Sequence, residues 1–433
     1  MGLTQSERNS GVSIFIEVNL VLIIFTSLLL HGAVADIYWY PVAIWTVLVF
    51  CFSMFAWERG WIPAPLMTGL EAFFIAWLGL VVFSALLSAH HWSSISGIER
   101  IFVALMFFYL MLWNFSDRQR EKILLWSLFA MPVLICMVGL AFYLAKRAAP
   151  FPFLPNIRSL QCTFVNHNNL AGMIILGFFL GVGLTMGLKK SKGELTTEAF
   201  ARVAIMLLPL GVLLIALGFS LSRSGWIAAI LAGMAFLLYH GFTSNWKRFR
   251  LYLGPALALI TAGIIASLLM SKGEIQKRAG TLNAFLKDPS SGLTLSGRKM
   301  IWHSTMGMIG DHPLVGVGPG NYWLEYPRYR APGDFFGEHH AHNDLLQLAA
   351  ETGVISSLIM VSIFGAGFVL WRRRYRHEMS KFKRRVSMGV VFGMLGFILQ
   401  DQVDFHFYIP GLAFYFLALA ALMVRPRRLS RHD

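Results

Sequence analysis

The chain has 433 residues, of which 56% are hydrophobic and only 14% charged, and a formal net charge of +15. A soluble domain carries roughly a quarter charged residues, so the composition excludes an ordinary soluble globular fold. The basic excess alone would admit nucleic acid as a partner; its distribution argues instead for membrane lipid and no nucleic acid.

The apolar residues fall into runs, and a run of about 18 or more residues with few charges is long enough to cross a hydrocarbon core roughly 30 Å thick. Spans are expected at 12–35, 39–56, 66–88, 98–115, 123–144, 168–188, 202–219, 224–240, 252–270, 350–371, 386–403 and 406–424. The fold class is therefore all-α, a polytopic membrane protein of about twelve helices forming a single membrane domain over 1–433. The first run is too long and its charged start too weak for a cleaved signal peptide. Cys51, Cys136 and Cys162 give no disulfide framework and no zinc-ligand spacing. The long break in the pattern is 271–349, an ordered loop by its glycines, prolines and aromatics. A shorter loop from Ala145 to about His167 opens with AAPFPFLPN, which cannot continue a helix.

With a cytoplasmic N-terminus, 24 of the 37 Lys and Arg residues fall on the cytoplasmic side, eight of them within 372–385. The opposite side holds 13, eight in the long loop, and long loops count little towards orientation. Both termini are thus expected in the cytoplasm and 271–349 in the periplasm. The run at 372–385 anchors topology and can also meet anionic lipid.

Five histidines lie in the long loop: His303, His312, His339, His340 and His342. The segment GEHHAHNDLLQLAAETG is expected to turn helical from Asn343 and run on into the tenth span. A neutral histidine at such an entrance can act as a general base near pH 7. His339, His340 and His342 could equally cap and pack the helix, with Asn343 and Asp344 as the better caps, or bind metal. Arg223, in LSRSGW, and Arg298, in SGRKMIW, stand beside small residues at membrane borders. Such an arginine is either an interfacial anchor or a phosphate ligand, since the guanidinium fork matches two oxygens at once. Ser222 and Ser224 leave room for phosphate beside Arg223. HPLVGVGPGNYW reads as a tight turn rather than a nucleotide loop. In QDQVDFHFY, Asp401 and Asp404 are three apart, share a helix face and are placed to neutralise an arginine. Trp92 and Trp323 fit interfacial aromatics.

LSRSGW, GRKMIWHSTMGMIGDHPLVGVGPGNYW and HAHNDLLQLAAETGVIS follow one another around one large loop, and FVNHNNLAGMIILG precedes them. Together they resemble the O-antigen ligase family of Gram-negative bacteria, whose superfamily includes O-antigen polymerases and protein O-oligosaccharyltransferases. The motifs cover about 160–400 and are more specific for the superfamily than for a choice within it. The resemblance implies an inner-membrane glycosyltransferase working on the periplasmic face. It implies a donor glycan on undecaprenyl diphosphate, a lipid A-core hydroxyl as acceptor, an inverting reaction and no metal or other cofactor. His342 would then be the base with His340 as neighbour or substitute. Arg223 and Arg298 would hold the donor diphosphate, and Asn343, His339, Ser222, Ser224, Asp401 and Asp404 would support them. The chain's end about nine residues past its last span favours a ligase over the protein O-oligosaccharyltransferases. A flippase or transporter would place its polar residues nearer the midplane.

The orientation can be tested directly. Cysteines placed singly in 271–349 should react with an impermeant thiol reagent in intact spheroplasts. Protection there, with labelling in 372–385, would overturn the orientation.

Overall fold

The computed structural model describes residues 5–426 apart from 116, 148–149, 154–158, 189–196, 244–294, 332–338 and 378. All regular structure among these residues is helical: α1 (Gln5–Leu29), α2 (Asp36–Glu58), α3 (Glu71–Leu87), α4 (His91–Asn114), α5 (Arg118–Leu144), α6 (His167–Gly187), α7 (Thr197–Ser220), α8 (Arg223–Thr243), α9 (Leu295–Asp311), α10 (Tyr322–Tyr329), α11 (Asp344–Thr352), α12 (Val354–His377), α13 (Lys381–Asp401) and α14 (Pro410–Val424). The expected ninth span, 252–270, and parts of the long loop lie outside the described residues. The other eleven expected spans each fall on a helix. By length and composition, α1, α2, α4, α5, α6 and α12 can cross a membrane, while α3, the 204–220 part of α7, and α14 are apolar but shorter.

Burial supports the membrane reading independently of length. Large aliphatic side chains point outwards: Ile75 is 69% exposed, Leu208 76% and Leu358 61%. In water such a belt would be an aggregation hazard; against lipid tails it is the stable arrangement. Inside the bundle, α6 and α14 are buried on nearly all sides. Among the described residues, the most extensive helix contact is that of α6 with α13. Helices in lipid gain little from hiding apolar surface from one another, so small residues that let backbones approach do the packing. A side chain at Gly183 would strike the backbone of Val386, and one at Gly389 would strike Phe179 and Gly183. This contact fixes the two helices whose ends, Asn168 and Asp401, frame the site.

One end of the bundle gathers the start of α6, the start of α8, the end of α13 and the long loop. Ser222 Oγ donates to Asn168 Oδ1 at 2.7 Å, and Gln400 Nε2 donates to the Asn168 carbonyl at 2.9 Å. On the far side, Asn321 Nδ2 reaches Ser88 Oγ at 2.6 Å, and His90 Nε2 lies 2.9 Å from Glu325 Oε1. The long loop also has a small core of its own, built on Ile301, Met308, Tyr322, Tyr326, Ala341 and Ala350.

Two sequence expectations are corrected. The helix from Asp344 does not run on into the tenth span. It stops at Gly353, whose φ of +88° favours glycine, and α12 starts afresh at Val354, whose N–H donates to the Pro313 carbonyl. Asp401 and Asp404 do not share a helix face, because α13 ends at Asp401 and Asp404 lies in the turn beyond. The GVGPG run is a turn, as expected. It wraps the end of α11, with Gly318 N–H donating to the Glu351 carbonyl at 2.8 Å.

Candidate active site

The histidine segment is held from both sides by its backbone. Ala341 N–H donates to Gln347 Oε1 at 3.0 Å, and the Ala341 carbonyl accepts from Trp302 Nε1 at 3.0 Å. Next along, Asn343 caps α11, its Oδ1 accepting from Leu346 N–H, while its Nδ2 donates to the Gln402 carbonyl. Between these anchors His342 is forced to φ +50°. That conformation costs a non-glycine residue on the order of 1–3 kcal/mol, and such strain concentrates at functional positions.

The three histidines have separate surroundings. His340 stacks on Phe405, 4.2 Å between ring centroids, and its Nδ1 lies 3.3 Å from Gln347 Oε1. His339 leans on Trp323. His342 meets the edge of Phe405 from another direction, and its Nδ1 lies 4.0 Å from Asp404 Oδ1. His303, on α9, and His312, just past its end, are exposed. Among the described residues, no group of three His, Cys, Asp or Glu side chains could hold a metal ion.

Asp404 is the centre of this geometry. Its carboxylate is fully buried, with Oδ1 facing His342 and Oδ2 lying 3.8 Å from the guanidinium of Arg298. The two partners keep 18% and 22% of their side-chain surface exposed, so each can touch a substrate while the carboxylate behind them cannot. Asp401 and Asp404 were expected to neutralise an arginine, and the structure places Asp404 beside one. Asp401 does something else. It accepts from the His406 N–H at 2.9 Å and lies beside Asp344, whose Oδ2 accepts from the Phe407 N–H at 2.8 Å. Burial holds the Asp344 carboxyl well above the usual carboxylate range, and the neighbouring Asp401 raises it further.

His406 extends the site to α6, its Nε2 lying 3.3 Å from the Asn168 carbonyl. Through Asn168 the chain of contacts reaches Ser222, which is buried and caps α8 by accepting from the Gly225 N–H at 3.1 Å. Ser224 Oγ lies 3.3 Å from Ser222 Oγ, and Arg223 is exposed at the start of α8. The serines beside Arg223 thus shape the helix start, and the guanidinium lies at the surface of the same end of the bundle. A cavity of about 1260 Å³ runs from this end, past His339, His340 and Gln402, down between α3, α4, α12 and α14 to Trp371 and Val424. Its walls are mostly apolar.

Sequence reasoning missed His406, Gln347, Glu351 and Phe405. Of these, His406 and Phe405 stand inside QDQVDFHFY, a segment singled out for its aspartates alone. Gln347 and Glu351 are one helical turn apart and form a buried ladder: Gln347 Nε2 donates to Glu351 Oε1, and Glu351 Oε2 accepts from Gly320 N–H and Tyr408 OH.

Residues 204–361 match the family model described as O-Antigen ligase. Over that segment the chain is similar to the O-antigen ligase family. The match takes in Ser222, Arg223, Arg298, His340, His342 and Asn343, and stops short of Asn168, Asp401 and Asp404. The exopolysaccharide production protein ExoQ of Rhizobium meliloti (strain 1021) is 26% identical over 180 residues. That likeness covers 40% of this chain and 39% of the relative.

The raised Asp344 carboxyl gives a pH-dependent stability. A carboxyl raised in the folded state contributes stability below its ordinary titration range and loses it as pH rises through the folded value, at about 1.4 kcal/mol per unit. Asp344→Asn, which keeps donor and acceptor but cannot ionise, should be relatively more stable than the parent as pH is raised above the ordinary carboxylate range. Parallel thermal-unfolding profiles against pH for the two proteins would show that the Asp344 carboxyl is not raised in the folded state.

Proposed function

We propose that this protein is an O-antigen ligase, a membrane glycosyltransferase that moves a glycan from undecaprenyl diphosphate to a sugar hydroxyl of lipid A-core on the periplasmic face of the inner membrane. The observation that carries the reading is the placing of His342 and Arg298 on opposite oxygens of the buried Asp404. It gives a base and a phosphate-binding cation a fixed relation to one another.

In this reading, the acceptor hydroxyl gives its proton to Nε2 of His342 as its oxygen attacks the anomeric carbon. The anomeric C–O bond to the diphosphate breaks on the opposite face, so configuration inverts. Negative charge collects on the diphosphate as it leaves, and Arg298 and Arg223 stabilise it there, an electrostatic contribution typically worth a few kcal/mol. Asp404, facing Nδ1, stabilises the imidazolium that forms. The 4.0 Å separation is long for a hydrogen bond, as often holds before substrate binds. The apolar cavity beside the site suits a long aliphatic tail. His340, stacked and hydrogen-bonded, acts as a positioning residue rather than the base.

A second reading, a polysaccharide polymerase using the same donor, is favoured by the ExoQ relative, whose name concerns exopolysaccharide production. The lipopolysaccharide of a deletion strain separates the two: a lost ligase leaves bare core and polymer on the lipid carrier, a lost polymerase leaves core with at most one repeat. A transporter is disfavoured because the polar cluster sits at helix ends rather than at mid-depth.

Purified variants test the roles. His342→Ala should reduce single-turnover transfer by about 10²–10⁴-fold with donor binding nearly intact. Arg298→Ala and Arg223→Ala should weaken donor binding as well as turnover, with Lys rescuing only in part. An active His342→Ala protein would remove it as the base, and unchanged donor binding in both arginine variants would return them to interfacial anchors.

A further inference from the structure

The connection between α5 and α6 re-enters the bundle. Leu160, Cys162, Thr163 and Phe164 are fully buried, although none lies in a helix. Leu160 N–H donates to the Phe219 carbonyl at 2.9 Å, Thr163 Oγ1 donates to the Leu28 carbonyl at 2.7 Å, and His31 Nδ1 lies 2.7 Å from the Thr163 carbonyl. The segment leads straight into Asn166, which caps α6 and so sets the position of Asn168 in the site. One wall of the active site rests on a buried stretch without helical hydrogen bonding.

Within that stretch Cys162 has φ +52°, a left-handed conformation unfavourable to residues with a side chain. Its sulfur lies directly over Gly139 of α5, where no side chain would fit. One turn earlier on the same face of α5 is Cys136, also fully buried, and the two thiols lie beside each other. Cys51, the third cysteine, is exposed on α2 and takes no part.

We propose that Cys136 and Cys162 are joined as a disulfide in the mature protein, stapling the re-entrant segment to α5. The distribution of basic residues puts this connection on the periplasmic side, where disulfides form and persist. Both sulfurs are sealed from solvent in the folded bundle, so oxidation precedes packing of the segment. The Cys162 thiolate attacks the disulfide of an oxidised thiol–disulfide oxidoreductase, giving a mixed disulfide and releasing one thiolate of that enzyme. The Cys136 thiolate then attacks the Cys162 sulfur and expels the second. Two electrons pass to the oxidoreductase, which leaves as a dithiol carrying the two protons. The bond closes the loop from 136 to 162 and restricts the unfolded chain, holding the re-entrant segment against α5.

The test counts free thiols. Cells are quenched in acid, and the protein is denatured, alkylated with a maleimide without reduction, and weighed intact. One adduct per molecule, at Cys51, is expected before reduction and three after it. A Cys51→Ala variant should carry none before reduction and two after. Cys162→Ala should carry two without reduction, because Cys136 loses its partner. Three adducts in the unreduced parent protein, or two in unreduced Cys51→Ala, would overturn the proposal, as would a single adduct in Cys162→Ala.

Discussion

A carboxylate with no access to water must find compensating charge within the protein, and breaking such a pair from one side is strongly destabilising. Asp404 is in that position in the turn beyond α13. The groups facing its two oxygens, the Arg298 guanidinium and the His342 imidazole, both come from the long loop rather than from the bundle. The same carboxylate that joins the candidate site residues therefore also docks the loop. A loop with only a small core of its own has few other reasons to sit at one place on a lipid-embedded bundle.

Around this charge the supports are backbone contacts. Gln347 reads the Ala341 N–H, Trp302 reads its carbonyl, and Glu351 ties Gln347 to Gly320 and Tyr408. The Asp344 carboxyl, accepting from the Phe407 N–H, fastens the start of α11 to the turn beyond α13. The glycine contact of α13 with α6 carries the arrangement across to Asn168 and the start of α8. A strained His342 is affordable because each neighbouring residue is fixed by at least one bond that the strain does not touch.

Much of this was legible in the sequence. Hydrophobic run length gave the helices, because in lipid every backbone group must be satisfied within a helix. The histidines and arginines declared themselves as polar residues clustered at the ends of apolar runs. Pairing across the chain was not legible. Arg298 and Asp404 are 106 positions apart, and nothing local says which arginine meets which aspartate. Gly353 reads as one more glycine in ETGVIS until its φ shows that it breaks the helix. Cys136 and Cys162 gave no spacing signal because their contact depends on a segment folding back into the bundle. His406 was hidden because its neighbours, two aspartates, drew the argument first.

The most direct measurement of the central claim is a double-mutant cycle on single-turnover glycan transfer, using Asp404→Asn, Arg298→Lys and the pair. If Asp404 holds Arg298 and His342 in one unit, the double variant should lose much less than the two single losses combined, with a coupling of about 1–3 kcal/mol. Losses that add to within about 0.5 kcal/mol would mean that the two residues act independently and that the buried carboxylate does not organise the site.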